Sequence, residues 1–449
     1  MPGLVGNLAG LMQVALGLLG VGTVGGGLIL GLRRNGPLLT SRLGVAFKIQ
    51  SMAVRNPRKR RKVPLPGGTV TRDWRKVVDD PRCPIIVELM GGTQTARLAV
   101  LAALRSGKSV VTANKALLSA HGEELFEACR KYDANLYYEA SVAGGIPIIK
   151  VLRESLVGNR VTRLHGIVNG TCNYILTRMK LEGADFAAVL ADAQRLGYAE
   201  AEPSLDIDGH DAAHKTGILA SLAHGFWVRP GEIHVEGIRS VSALDIQYAQ
   251  QLGYTIKLLG VVKTTGSGRS SGTEDIEVSV GPVLVPNTHV LASVNHVYNA
   301  ICVRGDVVGD TLYYGRGAGQ DATASSVLSD LADAALDLKH GSQRRVPPFV
   351  CHARGGRVVP YEEIVSRFYL RLSVIDRPGT LAKIATLLGR ARIGISSVIQ
   401  PEGHEGESVP LIFMIHDAPV KAMRRALKGI AGLSVVKGEP VVFRVEDFS

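Results

Sequence analysis

An uncharged apolar run that breaks into Gly20-Val21-Gly22-Thr23-Val24-Gly25 constrains the fold of this chain more than any other stretch. Residues 14–19 (VALGLL) have the length and apolarity of a strand buried on both faces, and the glycine turn leads into a helical stretch ending near Arg33 and Arg34. Strand, glycine turn and helix in that order open a dinucleotide-binding βαβ unit. The glycines allow the tight turn and a close approach of backbone to a pyrophosphate, and the helix N-terminus adds partial positive charge. Gly20, Gly22, Thr23, Val24 and Gly25 are therefore candidate cofactor contacts. Residues 1–32 carry no charge and by length alone would suit a membrane span, but glycines interrupt them and no Lys or Arg precedes them. No membrane segment is expected, and residues 1–11 read as a short extension.

The second strand is expected over residues 47–54, where a dinucleotide fold places an acid against the adenosine ribose. Here Arg55 and Lys59 stand instead, within a run of six cations from Arg55 to Lys62. A 2′-phosphate suits them better than a bare ribose, so NADP is expected ahead of NAD. The net charge of +12 would otherwise suggest nucleic acid, but half of the excess lies in this one run, and no nucleic acid partner is expected. Further strands are predicted at 83–90, ending in Gly91-Gly92-Thr93, at 109–112, leading to Lys115 on the ligand side of the sheet, and at 135–142. Alternation of this kind predicts an α/β, doubly wound Rossmann-type sheet over 12–145.

From residue 161 the pattern changes to α+β, and a substrate-binding domain is expected over 146–314. Its densest chemistry is LGYAEAEPSLDIDGHDAAHK, residues 196–215. Gly197, Pro203 and Gly209 put Glu200, Glu202, Asp206 and Asp208 on loops, and Asp211 opens a helix with Lys215 four residues on. Such a pair is ordinarily solvated, yet the apolar GILASLA run that follows turns it inward. A buried lysine beside a carboxylate is a candidate proton donor. His210 and His214 share the same spacing, and with Asp206 and Asp211 they offer a rival reading, a zinc-dependent hydrolase. That reading lacks a Glu between the histidines and places Lys215 beside the metal. Gly317-Ala318-Gly319 opens another helix, so 315–342 is expected to return to the dinucleotide-binding domain. The loop 264–275 is polar and without assignable chemistry, and 343–365 reads as linker. Residues 366–449 run β-α-β-β-α-β, a ferredoxin-like unit. Five scattered cysteines without a CxxC pair point to a reducing compartment, the cytoplasm.

Taken together, Ala193, Gly197, Tyr198, Ala199, Pro203, Asp206, Ile207, Gly209, Asp211 and Lys215 resemble the signature of the homoserine dehydrogenase family, with Glu202 where the family usually has Asp, Asn or Ser. VVTANKALL, EASVAGGIPII and NGTCNYIL are also similar, and SRFYLRLSVIDRPGTLAKIA resembles the start of the family's C-terminal ACT regulatory domain. The resemblance implies NAD(P)-dependent interconversion of L-homoserine and L-aspartate 4-semialdehyde, in threonine, methionine and isoleucine biosynthesis. It implies Lys215 as general acid/base with Lys115 beside it, and Glu200, Asp206, Asp211 and Thr171 as substrate contacts, with Asn173 near the cleft. Glu139, Val142, Gly144 and Ile146 are similar to a structural Na+ or K+ site. It further implies a homodimer or homotetramer and an effector, threonine, taken near Asp376, Pro378 and Gly379. A chain ending near Tyr361 is then expected to keep catalysis and lose inhibition.

Overall fold

The computed structural model describes residues 12–265, 274–342, 345–353, 355–401 and 406–448. The extension 1–11 and all but the ends of the 264–275 loop lie outside the described residues. In chain order the elements begin with β1 (Met12–Leu19), α1 (Thr23–Leu43), β2 (Val45–Ala53), β3 (Thr69–Thr71), α2 (Trp74–Val78) and β4 (Ile85–Glu88). Then come α3 (Gln94–Arg105), β5 (Ser109–Thr112), α4 (Lys115–Lys131), β6 (Leu136–Tyr137), α5 (Ile148–Lys150) and β7 (Val161–Ile167). Helices α6 (Gly170–Glu182), α7 (Phe186–Arg195), α8 (Ser204–Ile207) and α9 (His210–His224) follow, with β8 (His234–Val235), α10 (Ala243–Gln251), β9 (Tyr254–Thr264) and β10 (Asp275–Pro286). Next are β11 (Tyr298–Gly305), β12 (Gly309–Arg316), α11 (Gln320–His340) and β13 (Arg357–Val358). The last segment is β14 (Val365–Ile375), α12 (Thr380–Arg390), β15 (Ile395–Ile399), β16 (Ser408–Pro419), α13 (Val420–Ala431) and β17 (Val436–Val445).

Two compact units result, one of Met1–Thr162, Gly217–Pro230 and Val303–Arg354, the other of Arg163–Thr216, Gly231–Cys302 and Gly355–Ser449. In the first, a parallel sheet runs β3-β2-β1-β4-β5-β6. This is the doubly wound order, and it explains the apolar run at the start, because Leu16, Leu18 and Leu19 of β1 have no exposed surface. Helix α1 outruns the expected end near Arg34 and continues through Pro37 to Leu43. It can do so because α11 packs along it, with Gly27 so close that a Cβ there would lie 2.7 Å from Gln320 O. The strand expected over 135–142 shrinks to Leu136–Tyr137, and the chain turns into a single 3-10 turn at Glu139–Ser141.

The second unit is built on a mixed sheet ordered, from β11, β11-β7-β9-β10-β17-β14-β16-β15. Strand β10 pairs antiparallel with β9 along its whole length. Its other edge takes three short parallel partners, β13 at Asp275–Ile276, β8 at Ser279–Val280 and β17 at Val283–Leu284. So part of the 343–365 stretch, read as linker, is strand. The last six elements keep their β-α-β-β-α-β order, with β17 beside β14, around a core that includes Phe368, Leu370, Ile384, Phe413 and Met423. Through β17 this segment is continuous with the sheet of β9 and β10. Two buried ionic clusters reinforce the junction: Asp245 accepts from Arg371 Nε (2.6 Å) and Tyr369 Oη (3.1 Å), and Arg444 pairs with Glu277 at 2.5 Å. Helix α9 presses on β9 where Gly260 has no side chain, since a Cβ there would meet Thr216 Oγ1 at 2.1 Å. That contact fixes the height of the helix one residue from Lys215. Among the described residues no helix is long and apolar enough to cross a membrane, and all five cysteines are free.

Candidate active site

The fingerprint glycines each meet a different steric demand. Gly20 has φ 96°, and a Cβ there would sit 2.5 Å from Leu89 O; at Gly25 one would sit 2.4 Å from Gly20 O. Around Gly22 nothing lies within 4 Å, which leaves the backbone open at the start of α1, with Thr23 and Val24 as the first helical residues. That division into turn, open approach and close packing suits a pyrophosphate on the helix N-terminus. After β4, Gly91 and Gly92 both adopt φ 72° and are likewise open, ahead of Thr93 at the N-cap of α3.

Glu88, at the end of β4, organises this edge. It has no exposed surface and accepts from Thr112 Oγ1 at 2.7 Å and from Met90 N at 2.8 Å, while burial holds its carboxyl above the usual range. Thr112 Oγ1 in turn accepts from Asn114 N (3.0 Å), and Asn114 Nδ2 donates to Gly92 O (2.7 Å). Asn114 also caps α4 through Leu117 N at 3.1 Å, so Lys115 begins that helix from a braced turn at the carboxyl end of β5. Arg55, Arg58, Lys59 and Arg60 are exposed beyond β2, and the loop is folded on itself by Arg61 donating to Lys59 O at 2.9 Å. Gly317, Ala318 and Gly319 precede α11, and they pack on Gly144, whose Cβ would lie 2.5 Å from Gly317 O.

In the second unit, Lys215 is 7% exposed and donates through Nζ to Asp211 Oδ2 and to Val168 O, both at 2.7 Å. Asp211 Oδ2 also accepts from Asn169 Nδ2 at 2.9 Å, and the same Nδ2 lies 2.8 Å from Asp206 Oδ1. Thr171 Oγ1 stands between Tyr198 O (2.9 Å) and Asp206 Oδ2 (3.3 Å). Asn169, Thr171, Asp206, Asp211 and Lys215 thus converge. Asp206 lies on the short helix α8 rather than on a loop. Glu200 is exposed on the turn after α7, where its carbonyl accepts from Gln194 Nε2 at 3.0 Å. Asn173, one turn into α6, donates to Tyr298 O at 3.1 Å and accepts from the buried Lys257 Nζ, also at 3.1 Å. Burial, with the charge of Lys180, drives the Lys257 ammonium down to about 7.

Asn169, Glu88 and Lys257 escaped the reading of the sequence. Asn169 had a signal: an Asn directly before a helical run is an N-cap, and its Oδ1 does accept from Cys172 N at 2.8 Å. The other two are charges inside apolar strands, which pattern alone marks only as oddities.

The zinc reading fails. Among the described residues no three His, Cys, Asp or Glu side chains group around a point that could hold a metal, His210 is exposed, and Asp211 is engaged by Lys215 and Asn169. The turn of Glu139, Val142, Gly144 and Ile146 is tightly wound, with φ 55° at Ala143 and 54° at Gly144. Gly144 O accepts from Ser326 Oγ at 2.6 Å and Ile146 O from Ile148 N at 2.8 Å; a carbonyl has a second lone pair, so both keep room for a cation. The Glu139 carboxylate accepts from Ile149 N at 2.9 Å and Lys150 N at 2.8 Å, and burial raises its pKa to about 7. Asp376, Pro378 and Gly379 form the turn between β14 and α12, where Asp376 Oδ1 accepts from Gln400 Nε2 at 3.0 Å and Gly379 has φ 88°.

Comparison with known proteins identifies the family. The family model described as homoserine dehydrogenase matches residues 147–332, and that described as homoserine dehydrogenase, NAD binding domain, matches 20–139. A homoserine dehydrogenase of Pseudomonas aeruginosa is 42% identical over 440 residues, 97% of this chain and 99% of its own. The crystal structure of a homoserine dehydrogenase from Thiobacillus denitrificans superposes with a TM-score of 0.90 at 41% identity, over 98% of this chain and 100% of that one. A hyperthermophilic archaeal homoserine dehydrogenase in complex with NADPH gives a TM-score of 0.59 at 27% identity and covers 73% of this chain but 98% of itself. By both family models and by relatives matched over nearly its whole length, the chain belongs to the homoserine dehydrogenase family.

Proposed function

We propose that this protein interconverts L-homoserine and L-aspartate 4-semialdehyde with NADP in preference to NAD, and that Lys215 moves the proton. The observation that carries this is Lys215 itself, buried and aligned by Asp211 and Val168 O. A bound nicotinamide supplies or takes up the hydride. What remains for the chain is one proton on the substrate oxygen, given by Lys215 to the aldehyde or taken from the alcohol. Asp211, held by Asn169, keeps the amine in place. Asp206, Asp211 and Glu200 offer negative charge to the ammonium of the amino acid, and the Thr171 hydroxyl a polar contact. Lys115, on the ligand side of the parallel sheet, serves as the second catalytic lysine. Gly20 to Gly25, Gly91 to Thr93 and Gly317 to Gly319 hold the dinucleotide, with Arg55 and Lys59 on its 2′-phosphate; the NADPH carried by the archaeal relative supports that choice. A Na+ or K+ on the carbonyls of Glu139, Val142, Gly144 and Ile146 stiffens the turn and is tested by a rise in melting temperature with either cation in place of choline. The whole reading is tested by incubating the protein with L-homoserine and each cofactor and following nicotinamide absorbance.

The C-terminal β-α-β-β-α-β segment resembles an ACT domain, and we read it as the threonine sensor of a homodimer or homotetramer, with Asp376, Pro378 and Gly379 at the effector. Its sequence offers no acid/base constellation of its own, which supports a role apart from chemistry. The pairing of β17 with β10 favours a second reading, in which the segment completes the sheet. Titration calorimetry with threonine separates them: heat of binding supports the sensor, and no heat leaves the structural role.

A further inference from the structure

Asn299, the second residue of β11, has no exposed surface, and neither its Oδ1 nor its Nδ2 has a hydrogen-bond partner. Buried amides are otherwise paired, because the water lost on folding must be replaced. This exception stands in the strand behind the substrate site. Tyr298, next to it, is fully used: its carbonyl takes the amide of Asn173, which Lys257 braces from the other side. Asn299 Oδ1 lies 3.7 Å from where a Cβ on Gly170 would be. Gly170 is the first residue of α6, so its N–H lies outside the helical ladder, and the Asn169 cap is already spent on Cys172. The unpaired amide therefore lies beside the turn from which Asn169 holds Asp206 and Asp211 and on which Thr171 sits. With no exposed surface it is shut off from solvent, so the backbone of that turn is the partner within reach.

We propose that Asn299 is a positioning residue for the substrate. When substrate occupies the site, the amide hydrogen-bonds the Gly170 backbone and locks the Asn169–Gly170–Thr171 turn; in the ligand-free protein it stands unpaired. A cost borne by the free state and relieved in the loaded state strengthens substrate binding by that difference. The inference rests on the placement of the substrate site around Lys215. A Lys215→Ala variant with normal turnover would remove that placement, whereas the outcomes below bear on Asn299 alone.

The test is Asn299→Leu, apolar and close in volume, in the full-length protein. The ligand-free melting temperature stays level or rises, since no bond is lost. The further rise produced by L-homoserine with NADP shrinks, kcat/KM for L-homoserine falls about 10-fold, the scale of one hydrogen bond made only in the loaded state, and the KM for NADP is unchanged. Wild-type kcat/KM with a wild-type homoserine shift overturns the proposal, and so does a lower ligand-free melting temperature, which means the amide is paired at rest. Should the leucine variant not fold, Asn299→Ser decides: a loss in kcat/KM of about 10-fold supports the role, and wild-type kinetics overturn it.

Discussion

Asn169 Nδ2 lies 2.9 Å from Asp211 Oδ2, the oxygen that also accepts from Lys215, so the cap of α6 and the alignment of Lys215 are one residue's work. Asn169→Ala removes the cap, worth ~1 kcal/mol, and leaves buried carboxylate oxygens short of a donor at about 1–3 kcal/mol. Thermal unfolding is expected to show the combined loss, and steady-state kinetics a lower kcat with the KM for cofactor unchanged.

Arg55 is exposed at the end of β2, where a ribose-binding acid would stand in an NAD enzyme. Arg55→Ala is expected to raise the KM for NADP several-fold and leave that for NAD alone. An equal effect on both cofactors would place the phosphate elsewhere.

Burial lowers the pKa of Lys257 from 10.5 to about 7. Above pH 7 the folded protein has shed this proton while the unfolded chain keeps it until about 10.5, so the unfolded state binds more protons and stability rises with pH across that window. The wild type is expected to gain on Lys257→Met in denaturant midpoint between pH 7 and 10 and to gain nothing below pH 6, where both states are protonated.

Much of this was legible in the sequence. Gly20, Gly22 and Gly25 announced the first sheet, Gly20 and Gly25 because a close contact forbids a side chain and Gly22 because it leaves the backbone open, and the spacing of Asp211 and Lys215 announced the buried pair. What was not legible depended on distant partners. The helix through Pro37 continues because α11 covers it, and the strand expected at 135–142 yields to the turn that Glu139 and Gly144 build against α11. The final segment read as detachable because its own pattern is complete. Its bonds to β10, Asp245 and Glu277 join residues over a hundred positions apart, which no local pattern records.

That junction changes what truncation should do. A chain ending at Tyr361 strips β17 from β10 and leaves Glu277 without Arg444 and Lys263 without Glu446. An uncompensated buried charge costs about 3–5 kcal/mol. Instead of a desensitised but active core, the expected product is a poorly folded chain, which circular dichroism melting will show as a low or absent cooperative transition.

In the proposed reaction Lys215 moves the proton while the rest of the fold holds cofactor and substrate. The most direct measurement of this is the turnover of L-homoserine with NADP by Lys215→Ala beside wild type, with cofactor binding followed by fluorescence. The expected result is a folded protein with wild-type affinity for NADPH and a kcat lower by about 10²-fold or more. A variant that binds NADPH normally and turns over at the wild-type rate would contradict it.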